Sequence, residues 1–372
     1  MRFYLYFVLP FFISCNTTHY IYKEVITVTK QSQLLVDTVS TIKLSDSLTW
    51  KHYSTLKGEN TNYLLVDKTI RIHKIDLRTG QTQVINLDTA ITNQTEVNLE
   101  SVYAHTEDSI FLLQGEQLAL INGSGKTLWR MPINQTDSTY QTANVDDVPI
   151  YYDKNTHNIY VEQYCYSCGL WAQSFFEKWR ESSINVLNRK ETQLTKPFSN
   201  LYKQGNYYGF AIQATREHTD SCHIYTFTLD PNIYVYNKYT QQTTVFGGRS
   251  VYHTERDIPK LNLKDKNNTE AKMQHLTVVA SYNKITYDAT NKLYFRTFEA
   301  QVPLKNADNT YNTFSDKKRY LQVFDKQFNL LQELPLKQGF YCLGIANDKG
   351  LLFAKTIKNG KLIYTLKFHE QK

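Results

Sequence analysis

The chain has 372 residues, 41% hydrophobic and 21% charged, with 28 Tyr, 19 Phe and 4 Trp. That aromatic content supplies a large core and excludes disorder over most of the length, while 14 Gly and 8 Pro exclude collagen-like or linker-like character. The net charge of +7 is spread thinly, and without a basic stripe or a recognisable module it points to no nucleic-acid partner.

The N-terminus reads first. Met1-Arg2 precedes a largely apolar run from Phe3 to Ser14, and then Cys15. Twelve helical residues reach only about 18 Å, well short of a ~30 Å hydrocarbon core, so the run fits a secretory signal rather than a membrane span. Its Ser14-Cys15 end resembles a bacterial lipobox, with Phe12 where Leu is usual, which makes Cys15 the candidate lipidation site. The competing reading is a secreted protein with a cysteine near its cleavage site. The expected organisation is a signal peptide over 1–14, a lipidated N-terminus and linker over 15–30, and one domain over 31–372. Asn16–His19 has no acidic run of the kind that resembles surface-export signals, so the expected location is the outer membrane, lipid-anchored and facing the periplasm.

Beyond the linker, a unit recurs. An apolar run ends in Asp or Asn, two to four turn residues follow, and a second apolar run begins. It appears as Ile70–Asp76 with Gln83–Leu87, Leu118–Asn122 with Lys126–Trp129, and Ile184–Asn188 with Thr192–Leu194. Two more are Ile233–Asn237 with Thr244–Phe246, and Leu321–Asp325 with Asn329–Leu331. Inner hairpins precede these pairs, as at Ile150–Val161 and Ile285–Phe295. The last set, Cys342–Leu366, has only three strands, and Tyr20–Thr29 or Leu34–Leu44 can supply the fourth. The pattern predicts an all-β fold, a six-bladed β-propeller of four-stranded antiparallel blades closed by an N-terminal strand. A seventh blade between Phe246 and Tyr282 is disfavoured by that stretch's charged and amide residues.

Tyr287-Asp288, Leu293-Tyr294-Phe295-Arg296, Val323–Asp325 and Leu330–Glu333 together resemble a Bacteroides-type lipoprotein family of unknown function with a propeller-like domain. The resemblance covers most of the mature chain and is densest from Ile224 to Phe353. It implies fold and location and brings no activity with it.

Candidate chemistry is sparse. No catalytic motif and no cofactor motif is present: Gly123–Thr127 ends like a phosphate loop but has Leu120 where the first Gly belongs. Cys165-Tyr-Ser-Cys168 is a lone CxxC, readable as a local disulfide, free thiols or a redox or metal pair. Glu217–His223 packs five potential ligands into seven residues, yet reads better as a polar hairpin tip, and no metal site is expected. Asp153, Asp288 and Asp348 fall at inner hairpin turns, where Asp is a turn former. Arg296 reads as a packing and hydrogen-bonding residue between blades. Trp171, Phe175 and Trp179 recur every four residues, as on one face of a short helix, and are the candidate binding residues.

Three long insertions, Glu162–Ser183, Gly247–Gln274 and Glu299–Lys318, all emerge by topology on one face of the propeller. The expected function is a membrane-anchored binding or scaffolding module with a protein or glycan partner on that face. The alternative is an extracytoplasmic hydrolase or lyase with a site in the central channel.

Overall fold

The computed structural model describes residues 20–23, 34–44, 50–55, 62–67, 71–76, 79–87, 99–133, 140–142, 150–165, 167–169, 172–178, 180–195, 197–254, 257–345, 350–357 and 360–370. Two strands come first, β1 (Tyr20–Lys23) and β2 (Leu34–Leu44), and both join sheets built mainly from later residues.

Sheet 1 runs β3 (Trp50–Thr55), β4 (Asn62–Asp67), β5 (Ile72–Asp76) and β6 (Thr82–Ile85). Sheet 2 runs β7 (Leu99–Thr106), β8 (Ser109–Gln114), β9 (Gln117–Ile121) and β10 (Thr127–Pro132). In sheet 3 the innermost position is shared by β11 (Tyr140–Thr142) and β12 (Tyr151–Asp153). Both pair with β13 (Asn158–Cys165), and β14 (Arg180–Asn185) and β15 (Glu191–Thr195) follow outward. Sheet 4 holds β16 (Ala214–His218), β17 (Cys222–Phe227), β18 (Ile233–Asn237) and β19 (Thr243–Phe246), with β1 added parallel outside β19. Sheet 5 holds β20 (Ser281–Asp288), β21 (Leu293–Glu299), β22 (Arg319–Phe324) and β23 (Leu330–Leu336). Sheet 6 holds β24 (Phe340–Ile345), β25 (Leu351–Ile357) and β26 (Gly360–Glu370), with β2 antiparallel to β26 from Leu34–Glu370 to Leu44–Lys361. This is an all-β propeller of four-stranded antiparallel blades. Innermost strands touch in succession, β3 on β7, β7 on β12, β16 on β20, β20 on β24 and β24 on β3.

One local device makes the hairpins. A strand ends on Asp or Asn, whose side-chain oxygen accepts the backbone N–H two residues on. Asp153 accepts from Asn155 at 3.0 Å, Asn185 from Leu187 at 3.1 Å, Asn237 from Tyr239 at 2.9 Å, Asp288 from Thr290 at 2.9 Å and Asp325 from Gln327 at 2.8 Å. The chain then passes through a left-handed residue, such as His157 (φ 56°), Arg189 (φ 60°), Gln241 (φ 56°) or Lys292 (φ 56°), and re-enters the sheet. These short connections share one end of the propeller, the turn face. Val186 N–H donates to His157 O (2.9 Å) and Lys238 N–H to Ser221 O (2.9 Å), tying neighbouring turns together.

Apolar faces of successive sheets bury each other. Ile72 and Ile85 of sheet 1 pack with Val102, Ile110 and Leu112 of sheet 2, and Phe111 and Leu118 of sheet 2 with Ile159 and Val161 of sheet 3. Ile224 and Ile233 of sheet 4 meet Ile285 and Phe324 of sheet 5, and Phe295 and Val323 of sheet 5 meet Phe353 and Phe368 of sheet 6.

The opposite end, the loop face, carries the insertions. The connection between β13 and β14 contains the one-turn helix α1 (Gln173–Glu177), and the connection between sheets 4 and 5 contains α2 (Thr269–Val278). Among the described residues between β19 and β20 there is no strand, so the charged stretch from Phe246 to Tyr282 is insertion, not blade. Phe175 and Phe176 of α1, Phe198, Tyr202 and Tyr208 of the sheet 3–4 connection, and Val279 after α2 form one buried aromatic cluster over sheet 4.

Two expectations change. Residues 20–23, placed in a linker over 15–30, form β1 and hydrogen-bond along β19, which covers an otherwise open outer edge. Phe175, expected as a binding anchor, is 2% exposed and packs against Tyr164 and Phe176, because the apolar side of a five-residue helix turns into the core. Trp171 and Trp179 lie outside the described residues, as do Cys15 and Asp348.

Candidate functional site

The inner strands bring one carboxylate close to the propeller axis. Glu217 on β16 is half-buried, and its charge reaches groups on four other sheets. Burial first, then Glu217, raises the Tyr103 phenol of β7. Burial raises the Tyr151 phenol of β12, with Tyr103, Asp153, Asp220 and Glu217 adding to it. Tyr294 of β21 moves the same way, through burial and then Tyr287, Cys222 and Glu217. The Cys342 thiol of β24 is pushed up to about 11, chiefly by burial, with Lys284 of β20 opposing and Glu217 reinforcing. The place of Glu217 follows from the topology: β16 is the innermost strand of sheet 4 and touches the inner strand β20 of sheet 5. The groups it reaches include the phenols of Tyr103, Tyr151 and Tyr294 and the Cys342 thiol, on which Lys284 of β20 also acts.

Beside the axis a ring stack joins three sheets. Tyr103 meets Tyr151 edge-on at 5.8 Å, Tyr151 lies flat on His218 at 4.0 Å, and His218 meets His223 edge-on at 4.6 Å. This is where the histidines of Glu217–His223 go. They point between sheets 3 and 4, while Asp220 stays exposed at the hairpin tip. Among the described residues no group of three or more His, Cys, Asp or Glu side chains is arranged to hold a metal ion. The same hairpin geometry explains Asp153 and Asp288. Asp153 accepts Lys238 Nζ at 2.8 Å besides its own turn, and Asp288 accepts the Thr290 and Asn291 N–H groups and Asn291 Nδ2.

Behind the stack lies a charge network that sequence reading missed. Glu181 of β14 is buried against Arg216 of β16, each with a side chain 1% exposed. The other Glu181 oxygen accepts the Tyr225 hydroxyl at 2.8 Å and faces His223 Nδ1 at 3.1 Å. A carboxylate oxygen can only accept, so the His223 proton sits on Nδ1. Burial, then the Arg216 charge, holds His223 well below the usual histidine range, so it is neutral. Burial lowers Arg216 to about 10, which leaves it charged at neutral pH.

Arg296 performs the corresponding task between sheets 4 and 5. Fully buried, it donates to Gln322 Oε1 at 2.9 Å, to Pro231 O at 2.9 Å and to Gly248 O, and lies 4.4 Å over the Tyr282 ring. A Cβ at Gly248 would stand 2.8 Å from Pro231 O and against the guanidinium, so only glycine fits. Cys165 and Cys168 are joined by a disulfide, whereas Cys222 and Cys342 are in no disulfide among the described residues.

The comparisons fit this framework. The model of the family described as "Domain of unknown function (DUF4221)" matches residues 28–335. The chain belongs to the DUF4221 family. A crystal structure of a DUF4221 member from Bacteroides vulgatus superposes with a TM-score of 0.70 over 92% of this chain and 100% of that one. At 14% identity this likeness shows the fold. A structure titled streptogramin B lyase aligns at 9% identity and a TM-score of 0.43, over 90% of this chain and 98% of its own. No curated protein matches the chain. The DUF4221 match agrees with the family resemblance carried by Tyr287–Arg296 and Val323–Glu333, and it brings no assigned activity.

Proposed function

We propose that this DUF4221 protein is a lipid-anchored extracytoplasmic binding or scaffolding module that engages a protein or glycan partner through its loop face. The observation that carries the reading is the division of labour between the propeller's ends. One end consists of short self-satisfied turns. The other carries the three long insertions, the first two packed on the aromatic cluster over sheet 4, and leaves Phe210, Val251, Tyr252, Leu263, Met273 and Tyr311 exposed, two of them beside lysines. Lys272 lies 5.0 Å from the Phe210 ring centroid and Lys305 4.7 Å from that of Tyr311. Exposed aromatics on a rigid scaffold are where interface energy concentrates. Further to this reading, the six sheets are six blades of one ring, closed where β2 completes sheet 6. Cys15 carries the lipid in the outer membrane, facing the periplasm, and the Cys165–Cys168 disulfide suits an oxidising compartment.

Capture from detergent-solubilised envelopes, followed by crosslink mapping, tests the proposal. A specific partner should crosslink to the loop face, and Tyr252→Asp with Tyr311→Asp should cut its recovery at least tenfold while the fold is kept. Crosslinks concentrated around Glu217–His223 would refute it. They would favour the second reading, a hydrolase or lyase that uses the axial Glu217 among Tyr103, Tyr151 and Lys284.

A further inference from the structure

The way β1 enters its sheet sets how a lipid-anchored chain must sit on its membrane. β1 runs parallel to β19, with Tyr20 opposite Thr243 and Lys23 opposite Phe246. Thr243 is the first strand residue after the turn 238–242, so the chain joins the propeller at the turn face and runs toward the loop face. Cys15 is five residues before Tyr20, a reach of at most about 18 Å when fully extended. The sheets are taller than that. The eight residues of β13 alone span about 26 Å. An anchor at Cys15 therefore cannot bring the loop face against the bilayer, and it holds the turn face of sheet 4 close to it.

What that face presents suits a headgroup layer. Leu187, 71% exposed, and Tyr239, 75% exposed, stand at the tips of the β14–β15 turn of sheet 3 and the β18–β19 turn of sheet 4. These turns are fastened to each other through the Lys238–Asp153 ion pair (2.8 Å) and the Val186–His157 backbone bond (2.9 Å). Lys154, Arg189 and Lys190 are exposed around them, and the turns 154–157, 186–190 and 238–242 contain no acidic residue, against the exposed Asp220 of the neighbouring turn 219–221. Tyrosine rings partition to the membrane–water interface, and lysine and arginine are drawn to anionic headgroups.

We infer that the turn face of sheets 3 and 4 is a second membrane contact, in which Leu187 and Tyr239 enter the interfacial layer and Lys154, Arg189 and Lys190 meet anionic phospholipid phosphates. The inference rests on the lipid-anchor reading, and it leaves the loop face pointing away from the membrane, free for a partner. The test uses the full lipidated chain in phosphatidylethanolamine–phosphatidylglycerol vesicles, in a Cys222→Ser, Cys342→Ser background, with single cysteines introduced as Leu187→Cys, Tyr239→Cys or Val251→Cys. Modification by a bulky maleimide should be at least tenfold slower at 187 and 239 than in the soluble Cys15→Ser form, and unchanged at 251. Adding Arg189→Glu and Lys190→Glu should restore reactivity at 187 and 239. Protein that floats with vesicles yet reacts equally at all three positions would overturn this orientation and leave the anchor standing. Protection that survives the two charge reversals would overturn the headgroup contact. Failure of the wild-type chain to float would overturn the anchor itself, and the inference with it.

Discussion

Glu181 and Arg216 are a pair that neither sheet could keep alone. Desolvating a lone carboxylate or guanidinium costs several kcal/mol, and each side chain here is 1% exposed. Glu181 also accepts the Tyr225 hydroxyl and faces His223, so its removal strands three donors at once. Glu181→Leu or Arg216→Met alone is therefore expected to cost about 3–5 kcal/mol, whereas Glu181→Leu with Arg216→Met together should cost less than the two single changes summed. Urea unfolding of the four proteins of the double-mutant cycle measures this. Additive costs would show that the pair is not coupled. None of this could be read from the sequence, because Glu181 and Arg216 are 35 positions apart in chains of ordinary strand pattern. Arg296 was legible only as a residue between blades. Its partners Pro231, Gly248 and Gln322 come from three separate segments.

At the scale of elements, legibility follows the range of the hydrogen bonds. The hairpin from β18 to β19 is fixed by Asn237, whose side chain binds Tyr239 N–H and Thr240 N–H and whose backbone pairs with Gln241 and Gln242, so its turn is written within six residues. The aromatic run around α1 is written differently. Spacing by four suggested a stripe of Trp171, Phe175 and Trp179, but the helix covers only Gln173–Glu177, and it is Phe176, off that spacing, that packs on Phe198 and Tyr202 beside it. Tertiary packing turns both Phe175 and Phe176 inward. The insertion that holds α2 depends on a contact of the same non-local kind. Lys317, from the insertion of sheet 5, is buried with its Nζ donating to Leu276 O (3.0 Å), Val279 O (2.8 Å) and Ser281 Oγ (2.9 Å). A cation on the last carbonyls of a helix satisfies orphan acceptors and complements the helix dipole. Lys317→Ala should release this end of α2 at a cost of about 2–4 kcal/mol, since hydrogen bonds from a charged donor contribute about 1.5–3 kcal/mol each and water replaces only part of them. Amide hydrogen exchange should then rise along 269–279 while protection in β5 and β9 is unchanged. Uniform protection along α2 in the variant would show that the lysine does not hold it.

For the whole molecule, the closure proposed through β2 says where the fold should be weakest. Five sheets take their four antiparallel strands from one continuous stretch each, apart from β1 outside β19 and the split inner position of sheet 3. Sheet 6 takes three strands from 340–370 and its fourth from 34–44. That one pairing joins an early segment to the last described strand, and among the described residues it is the longest ladder, ten Cα partners from Leu34–Glu370 to Leu44–Lys361. Ile42, 8% exposed, reaches the turn of sheet 1 as well, where a Cβ on Gly80 would lie 2.9 Å from its Cγ2. Deleting residues 34–44 would leave β26 as a free edge of eleven residues and uncover the seam between sheets 6 and 1. The loss should exceed that of any single core truncation, which is typically 2–5 kcal/mol, and should lower the melting temperature by ten degrees or more. The truncated chain should also self-associate through the exposed β26 edge, visible by light scattering, and a peptide of sequence 34–44 added in trans should suppress that association by refilling the edge. Deletion of residues 20–23 removes a short parallel strand from the outside of a sheet that already has four, so its effect should be several times smaller. An equal loss from both deletions would show that β2 is another edge strand, and that the ring is held by inter-sheet packing alone.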